Sequence, residues 1–174
     1  EGSGDGDINK PSGMAFDSDD NMIIVDSQNN RVQKLTKEGK FISSIGSQGT
    51  GNGEFNLPWG IDLDVDGNIY VADWRNDRIQ KFTKDGDFLM AFGTSGSGPG
   101  ELNRPTDVAV DNSGMIYVAD WGNERMQMFD PAGKFVTLTT GEGTMSKWGK
   151  DKLDGNSEMW ELREIAQGLE RERD

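Results

Sequence analysis

ADWRNDRIQKF occupies Ala72–Phe82, and ADWGNERMQMF occupies Ala119–Phe129, 47 positions later. A third version, VDSQNNRVQKL, begins at Val25, another 47 positions upstream. The correspondence extends outward into three in-phase units: residues 11–57, 58–104 and 105 onward. No gap is needed before about Thr139. A repeat of this period belongs to solenoids, propellers or linear arrays, and the pattern inside one unit chooses among them.

The middle unit holds four short runs with strand character. GIDLDVDGNIYVAD supplies two of them around the turn at Asp64–Asn68. RIQKFT is the third, Lys84-Asp85-Gly86 is a tight turn, and DFLMAFG is the fourth. Asp-Gly between apolar runs is a strong hairpin signal. Apolar spacing of three and four, which a helical repeat would need, is missing from these units. Four antiparallel strands in 47 residues have the dimensions of a propeller blade. The segments SQGTGNGEFNLP and TSGSGPGELNRP then read as blade-to-blade connectors, with Pro58 and Pro105 opening the next innermost strand. The expected fold class is therefore all-β.

Composition narrows the chemistry. The 174 residues carry a formal net charge of −13 and contain neither cysteine nor histidine. Disulfides, thiolate or imidazole metal sites, a Ser-His-Asp triad and a His general base are excluded within this chain. The acidic balance disfavours nucleic acid and anionic membrane surfaces as partners. No apolar run approaches the ~20 residues that span a bilayer. No cofactor is expected.

The repeat is its own alignment. A residue present in every unit most simply serves the unit. Asp26, Asp73 and Asp120 recur five positions before Arg31, Arg78 and Arg125. They are expected to brace a loop through turn N–H groups or an ion pair rather than to form a ring of ligands. Gln33, Gln80 and Gln127 recur too, as do Phe41, Phe88 and Phe135, and these read as blade packing.

Residues that break the pattern are the candidates for function. Trp74 and Trp121 stand where the first unit has Ser27, and Trp59 stands where the others have Ser12 and Thr106. Arg75 faces Gln28 and Gly122 in the alignment. Loops between second and third strands emerge on the same face as the connectors, so Trp59, Trp74, Arg75, Arg104 and Trp121 are expected to gather on one rim. Exposed aromatics beside arginine have the composition of a binding hot spot. Asp62 replaces Ala15 and Ala109 on the innermost strand, and Asp107 replaces Gly13 and Gly60. Carboxylates there could hold a cation or polar ligand, or be tied to connector amides.

DLDVDGNIYVAD, Asp62–Asp73, imitates an EF-hand loop, with Asp62, Asp64 and Asp66 in the first ligand places and Gly67 at the turn. The context does not support it. IYVA belongs to a strand, which at ~3.3 Å per residue carries Asp73 away from Asp66.

The two ends depart from the repeat. Residues 1–10 align with a connector, so the chain reads as starting inside the connector of a preceding blade. After strand four of the last unit, residues 141–174 lose the pattern. Met159, Leu162, Ile165, Ala166 and Leu169 share one face of an expected amphipathic helix, capped by Asn156 or Ser157, with Trp148 and Trp160 as anchors. The expected division is a connector remnant at 1–10, blades at 11–57, 58–104 and 105–140, and a linker with helix at 141–174.

Pro-x-Gly-apolar, Gly-x-Ile-Tyr-Val-Ala-Asp and Asn-x-Arg-Ile-Gln-x-Phe together resemble the NHL-repeat family. The tripeptide appears as Asn29-Asn30-Arg31, Asn76-Asp77-Arg78 and Asn123-Glu124-Arg125, without the usual central His. The resemblance implies a β-propeller, commonly six-bladed, used as a binding platform. Some relatives are metal-dependent lyases or lactonases, and others bind RNA. It leads us to expect a non-enzymatic platform for a protein, peptide or glycan, with a metal-assisted hydrolase or lyase site at Asp62 and Asp107, in the channel of a completed six-bladed propeller, as the alternative. Three blades leave two apolar faces open, so a homodimer completing a six-bladed ring is expected. Many bacterial relatives are exported, which implies an extracytoplasmic or secreted location.

Overall fold

The computed structural model describes residues 2–140. The expected C-terminal helix lies outside the described residues. Twelve strands form three four-stranded antiparallel sheets, each an up-and-down meander. Blade 1 contains β1 (Pro11–Phe16), β2 (Met22–Asp26), β3 (Arg31–Leu35) and β4 (Phe41–Ile45). Blade 2 contains β5 (Pro58–Leu63), β6 (Ile69–Asp73), β7 (Arg78–Phe82) and β8 (Phe88–Phe92). Blade 3 contains β9 (Pro105–Val110), β10 (Ile116–Asp120), β11 (Arg125–Phe129) and β12 (Phe135–Thr140). The first strand of each blade is innermost, and β5 stands between β1 and β9.

Turn chemistry sets each hairpin. Between β5 and β6, Asp64 Oδ1 accepts the N–H groups of Asp66 and Asn68 at 3.1 and 2.9 Å, and Gly67 turns the chain at φ +81°. Those bonds occupy the carboxylate that imitates a calcium ligand. Its neighbour Asp73 lies at the far end of β6, as the strand reading requires.

The core forms between blades, because a strand's alternate residues face opposite neighbours. In β6, Ile69 and Val71 pack toward blade 1 with Ile23, Val25 and Val32. Tyr70 and Ala72 pack toward blade 3 with Val108 and Val118. All of β6 is therefore buried, although its sequence does not alternate apolar with polar. The glycine-rich connectors contribute to the same core. Phe55 and Leu102, both 0% exposed, are pegged between blades. Phe55 meets Phe82 with ring centroids 5.6 Å apart. The parallel bridges Gln48↔Phe55 and Ser95↔Leu102 hold the two pegs in place.

Inner strands approach so closely that two positions exclude a side chain. A Cβ on Gly13 would lie 2.6 Å from the Trp59 carbonyl oxygen, and one on Gly60 would lie 2.5 Å from Asp107 Cα.

The two end faces are different. Met14 and Phe16 of blade 1 are 56% and 58% exposed, whereas Ile61, the blade 2 counterpart of Met14, is 7% exposed. On blade 3, Met126 is 44% exposed, against 0% for its counterpart Ile79.

Candidate functional site

Every blade carries the same buried clamp at one rim. In blade 2, Asp73 Oδ2 accepts hydrogen bonds from Arg78 Nε at 2.8 Å, Asn76 Nδ2 at 2.9 Å and Gln80 Nε2 at 3.2 Å. Its Oδ1 accepts the Asn56 backbone N–H at 2.8 Å. Arg78 also donates to the Gly51 and Glu54 carbonyls, which ties the connector to the blade. Asp26 and Asp120 repeat the arrangement with Arg31 and Arg125. The ion pair expected for these aspartates thus occurs in every blade, whereas the amide on the other oxygen comes from the connector and not from the turn, and the residues serve the blade. The asparagine of each clamp closes a single 3-10 turn, Ser27–Asn29, Trp74–Asn76 or Trp121–Asn123. These turns fix the directions in which residues 27, 74 and 121 leave the rim.

The blade-specific residues differ in what they do there. Blade 1 places Ser12 and Ser27 side by side, with hydroxyl oxygens 2.6 Å apart. Blade 2 has Trp59 and Trp74 at those two places, and their rings stack with centroids 5.3 Å apart at 11°. Two guanidinium groups converge on Trp74. Arg75 lies 5.5 Å and Arg104 5.1 Å from the ring centroid, within cation–π range. Arg104 comes from the connector to blade 3, where φ is +52°, and its backbone N–H donates to Asp77 Oδ1 at 2.7 Å. The Trp74 indole N–H is buried with no partner among the described residues. Trp59 is 40% exposed, and Arg75 and Arg104 are exposed.

Trp121 stands apart. It is 61% exposed, and no ring contact joins it to the stack among the described residues. Its partner position holds Thr106 instead of an aromatic residue, so blade 3 has one half of a stack and lacks the other.

The two inner carboxylates are bound to strand amides rather than to connector amides. Asp62 Oδ2 accepts the Val110 N–H at 2.7 Å across the blade 2–blade 3 seam. Asp107 Oδ1 accepts the Val108 N–H at 3.0 Å. Asp107 is exposed, yet partial desolvation and the nearby Asp62 charge push its carboxyl above the usual range. Beside it lies a cavity of about 320 Å³ lined by Ser12, Trp59, Gly60, Thr106 and Asp107 among others. Trp59 therefore borders both the indole stack and this trough.

Sequence reasoning identified the aromatic and charged members but missed Ser12 and Thr106 as members of the same structural pair. The signal was partial: positions 12 and 27 are both serine and 59 and 74 both tryptophan, whereas 106 and 121 are threonine and tryptophan.

A family model described as 6-bladed beta-propeller matches residues 7–64 and 63–142. Over 43 residues the chain is 49% identical to Protein lin-41 of Caenorhabditis elegans, covering 25% of this chain and 4% of lin-41. Among solved structures it is similar to a protein of unknown function from Bacteroides caccae. That match has a TM-score of 0.58 and 14% identity over 76% of this chain and 46% of the other. It is also similar to virginiamycin B lyase from Staphylococcus aureus, with a TM-score of 0.56 and 16% identity over 77% and 42%. At these identities the structural likeness shows the fold alone. The chain spans less than half the length of each of these three proteins.

Proposed function

From the premise that this chain belongs to the 6-bladed beta-propeller family, we propose that it is a binding platform whose ligand, a protein, peptide or glycan, docks on the blade 2 rim. The observation that carries this is the Trp59–Trp74 stack with Arg75 and Arg104 around it. None of the four is required by the blade, since blade 1 closes the same place with two serines. An array of immobilised peptides and glycans is the test. Trp74→Ala should weaken whatever binds by about thirtyfold, the effect of losing a ~2 kcal/mol hot spot. Unchanged affinity in a folded variant would remove the site assignment.

The alternative, a hydrolase or lyase site at Asp62 and Asp107, draws support from the raised Asp107 carboxyl and from the lyase among the fold neighbours. It has less behind it, because Asp62 Oδ2 is already held by Val110.

A second copy of the chain completing the ring is part of the proposal. At each closed seam an Asn or Asp oxygen receives the N–H of a residue in the left-handed region. Asn30 Oδ1 takes Leu57 at 2.7 Å, and Asp77 Oδ1 takes Arg104 at 2.7 Å. The third acceptor position, on the open face of blade 3, is Glu124. The third left-handed residue, on the open face of blade 1, is Lys10 at φ +50°. Apposing the two faces puts an acid against a base and covers Met14, Phe16 and Met126. Because the chain has no cysteine, Glu124→Cys with Lys10→Cys should give a covalent dimer on mild oxidation. A monomer in sedimentation equilibrium at micromolar concentration, with no cross-link, would rule the dimer out.

A further inference from the structure

We infer that the rim takes an acidic oligosaccharide, with a uronate carboxylate held by Arg75 and Arg104 and a neutral, hydroxyl-bearing neighbour lying in the trough past Trp59. This rests on the binding-platform reading above and names the ligand class of that same site.

The argument begins with the arginines. Five lie among the described residues. Arg31, Arg78 and Arg125 each grip a buried aspartate at 2.7–2.8 Å. Arg75 and Arg104 form no ion pair among the described residues, although the whole chain carries a net charge of −13. An acidic protein normally has carboxylates to spare for its surface guanidiniums. Here two unneutralised ones, from different loops, are brought to a single indole. Asp77 is nearby, but its carboxylate receives the Arg104 backbone N–H rather than the guanidinium. A guanidinium fork matches a planar carboxylate with two parallel hydrogen bonds, so the free anion-binding capacity of this patch suits a carboxylate.

The rest of the patch selects a sugar over an acidic peptide. Trp59 and Trp74 stack face to face, so each ring covers one face of the other, and Trp59 is the 40% exposed member of the pair. The flat C–H face of a pyranose suits an exposed indole face. Trp59 leads from the stack into the 320 Å³ trough, where the Thr106 hydroxyl has no hydrogen bond among the described residues and Asp107 offers acceptor oxygens. Hydroxyl groups fit those partners. A second carboxylate would be repelled by Asp107 and Asp62, so the ligand is oriented: acid over the arginines, neutral ring inward.

The test uses the full chain and calorimetric titration with uronate-containing tetrasaccharides of several linkages, each paired with its carboxyl-reduced, neutral counterpart. The expected result is binding of at least one uronate. That binding should fall tenfold or more on carboxyl reduction, fall by a similar factor in the Arg75→Gln/Arg104→Gln double variant, and weaken with added salt. Trp59→Ala should weaken the acidic and neutral sugars alike. Circular dichroism melting checks that the variants stay folded. Equal affinity for neutral and acidic sugars, unaffected by the arginine changes, overturns this inference but leaves the platform standing. Binding of an acidic peptide with none of any uronate also overturns it. No binding by any member of the panel overturns it as well, and the Trp74→Ala array experiment then judges the platform separately.

Discussion

Replacing Asp73 with asparagine probes the interaction on which the rim geometry depends. Asp73 is 0% exposed, and its two oxygens receive four donors, of which one is a guanidinium. Asparagine keeps the shape but has one oxygen and no charge. If that oxygen stays on the Asn56 N–H, the amide NH₂ points at Arg78, Asn76 and Gln80, which are all donors. If the amide flips, it opposes the Asn56 N–H instead. Both orientations leave the Arg78 guanidinium without its counter-charge in a buried setting. Breaking a buried pair by removing one partner costs about 3–5 kcal/mol, a large share of the ~5–15 kcal/mol that stabilises a typical domain. Urea unfolding followed by tryptophan fluorescence measures it, with linear extrapolation giving the change in stability. Asp26→Asn and Asp120→Asn should cost amounts of the same order, because their clamps have the same geometry. A loss below about 1 kcal/mol at Asp73, or a loss confined to one blade, would refute the view that the clamp is a blade-bracing device.

Three further outcomes are expected. Phe55→Ala should cost about 3–5 kcal/mol in the same assay, as a core residue does, although it sits in a glycine-rich connector; a loss typical of a surface loop would contradict its role as an interblade peg. Gly60→Ala should lose about 1–3 kcal/mol or more, because its Cβ would meet the Asp107 Cα at 2.5 Å and the Thr106 carbonyl at 2.7 Å, both backbone atoms; unchanged stability would mean the inner strands separate freely. Asp107→Asn should raise the melting temperature at neutral pH. The folded-state carboxyl is raised, so the wild type loses stability as pH climbs through the folded value, and the gap between the two proteins should close below the ordinary carboxylate range; a gap independent of pH would discount both the desolvation and the Asp62 repulsion held to raise this carboxyl.

The blades were legible in the sequence because three independent signals coincided: Asp-Gly turns, the 47-residue period, and Pro58 and Pro105 at the inner strands. The clamp was legible as a shared Asp–Arg spacing, though not the two side chains that complete it. Asn76 and Gln80 look like ordinary polar residues until the fold brings them onto one carboxylate oxygen. The connectors were read as loops that reverse direction, and the burial of Phe55 and Leu102 was not visible there. A single apolar residue among glycines has no periodicity to reveal which way it faces. The rim residues were found by their irregularity, but their contacts were not. Stacking needs aromatic residues at both 59 and 74, and no one-position comparison shows that these places touch. The same pairing explains why Trp121, chosen on equal grounds, stacks on no ring among the described residues: position 106 is threonine.

An in-phase repeat separates the residues that every blade needs from those peculiar to one blade more cleanly than burial does. Asp73, Arg78 and Trp74 all lie within a few residues of one turn, and by charge or size alone any of them could be assigned to a ligand. The other blades supply the control. Where blade 1 needs an aspartate and an arginine, it has them, and they make the same bonds at the same distances. Where blade 2 has Trp59 and Trp74, blade 1 closes the gap with two hydroxyls and blade 3 with one threonine and an unstacked indole. The blade architecture therefore imposes no demand for aromatic residues at that place. Nor does it demand a cation at residue 104: the left-handed backbone there recurs at Lys10 and Leu57, and leucine meets its requirements as well as arginine does. What remains after subtracting the blade is a stacked pair of indoles and two guanidiniums without carboxylate partners among the described residues, in a molecule of net charge −13.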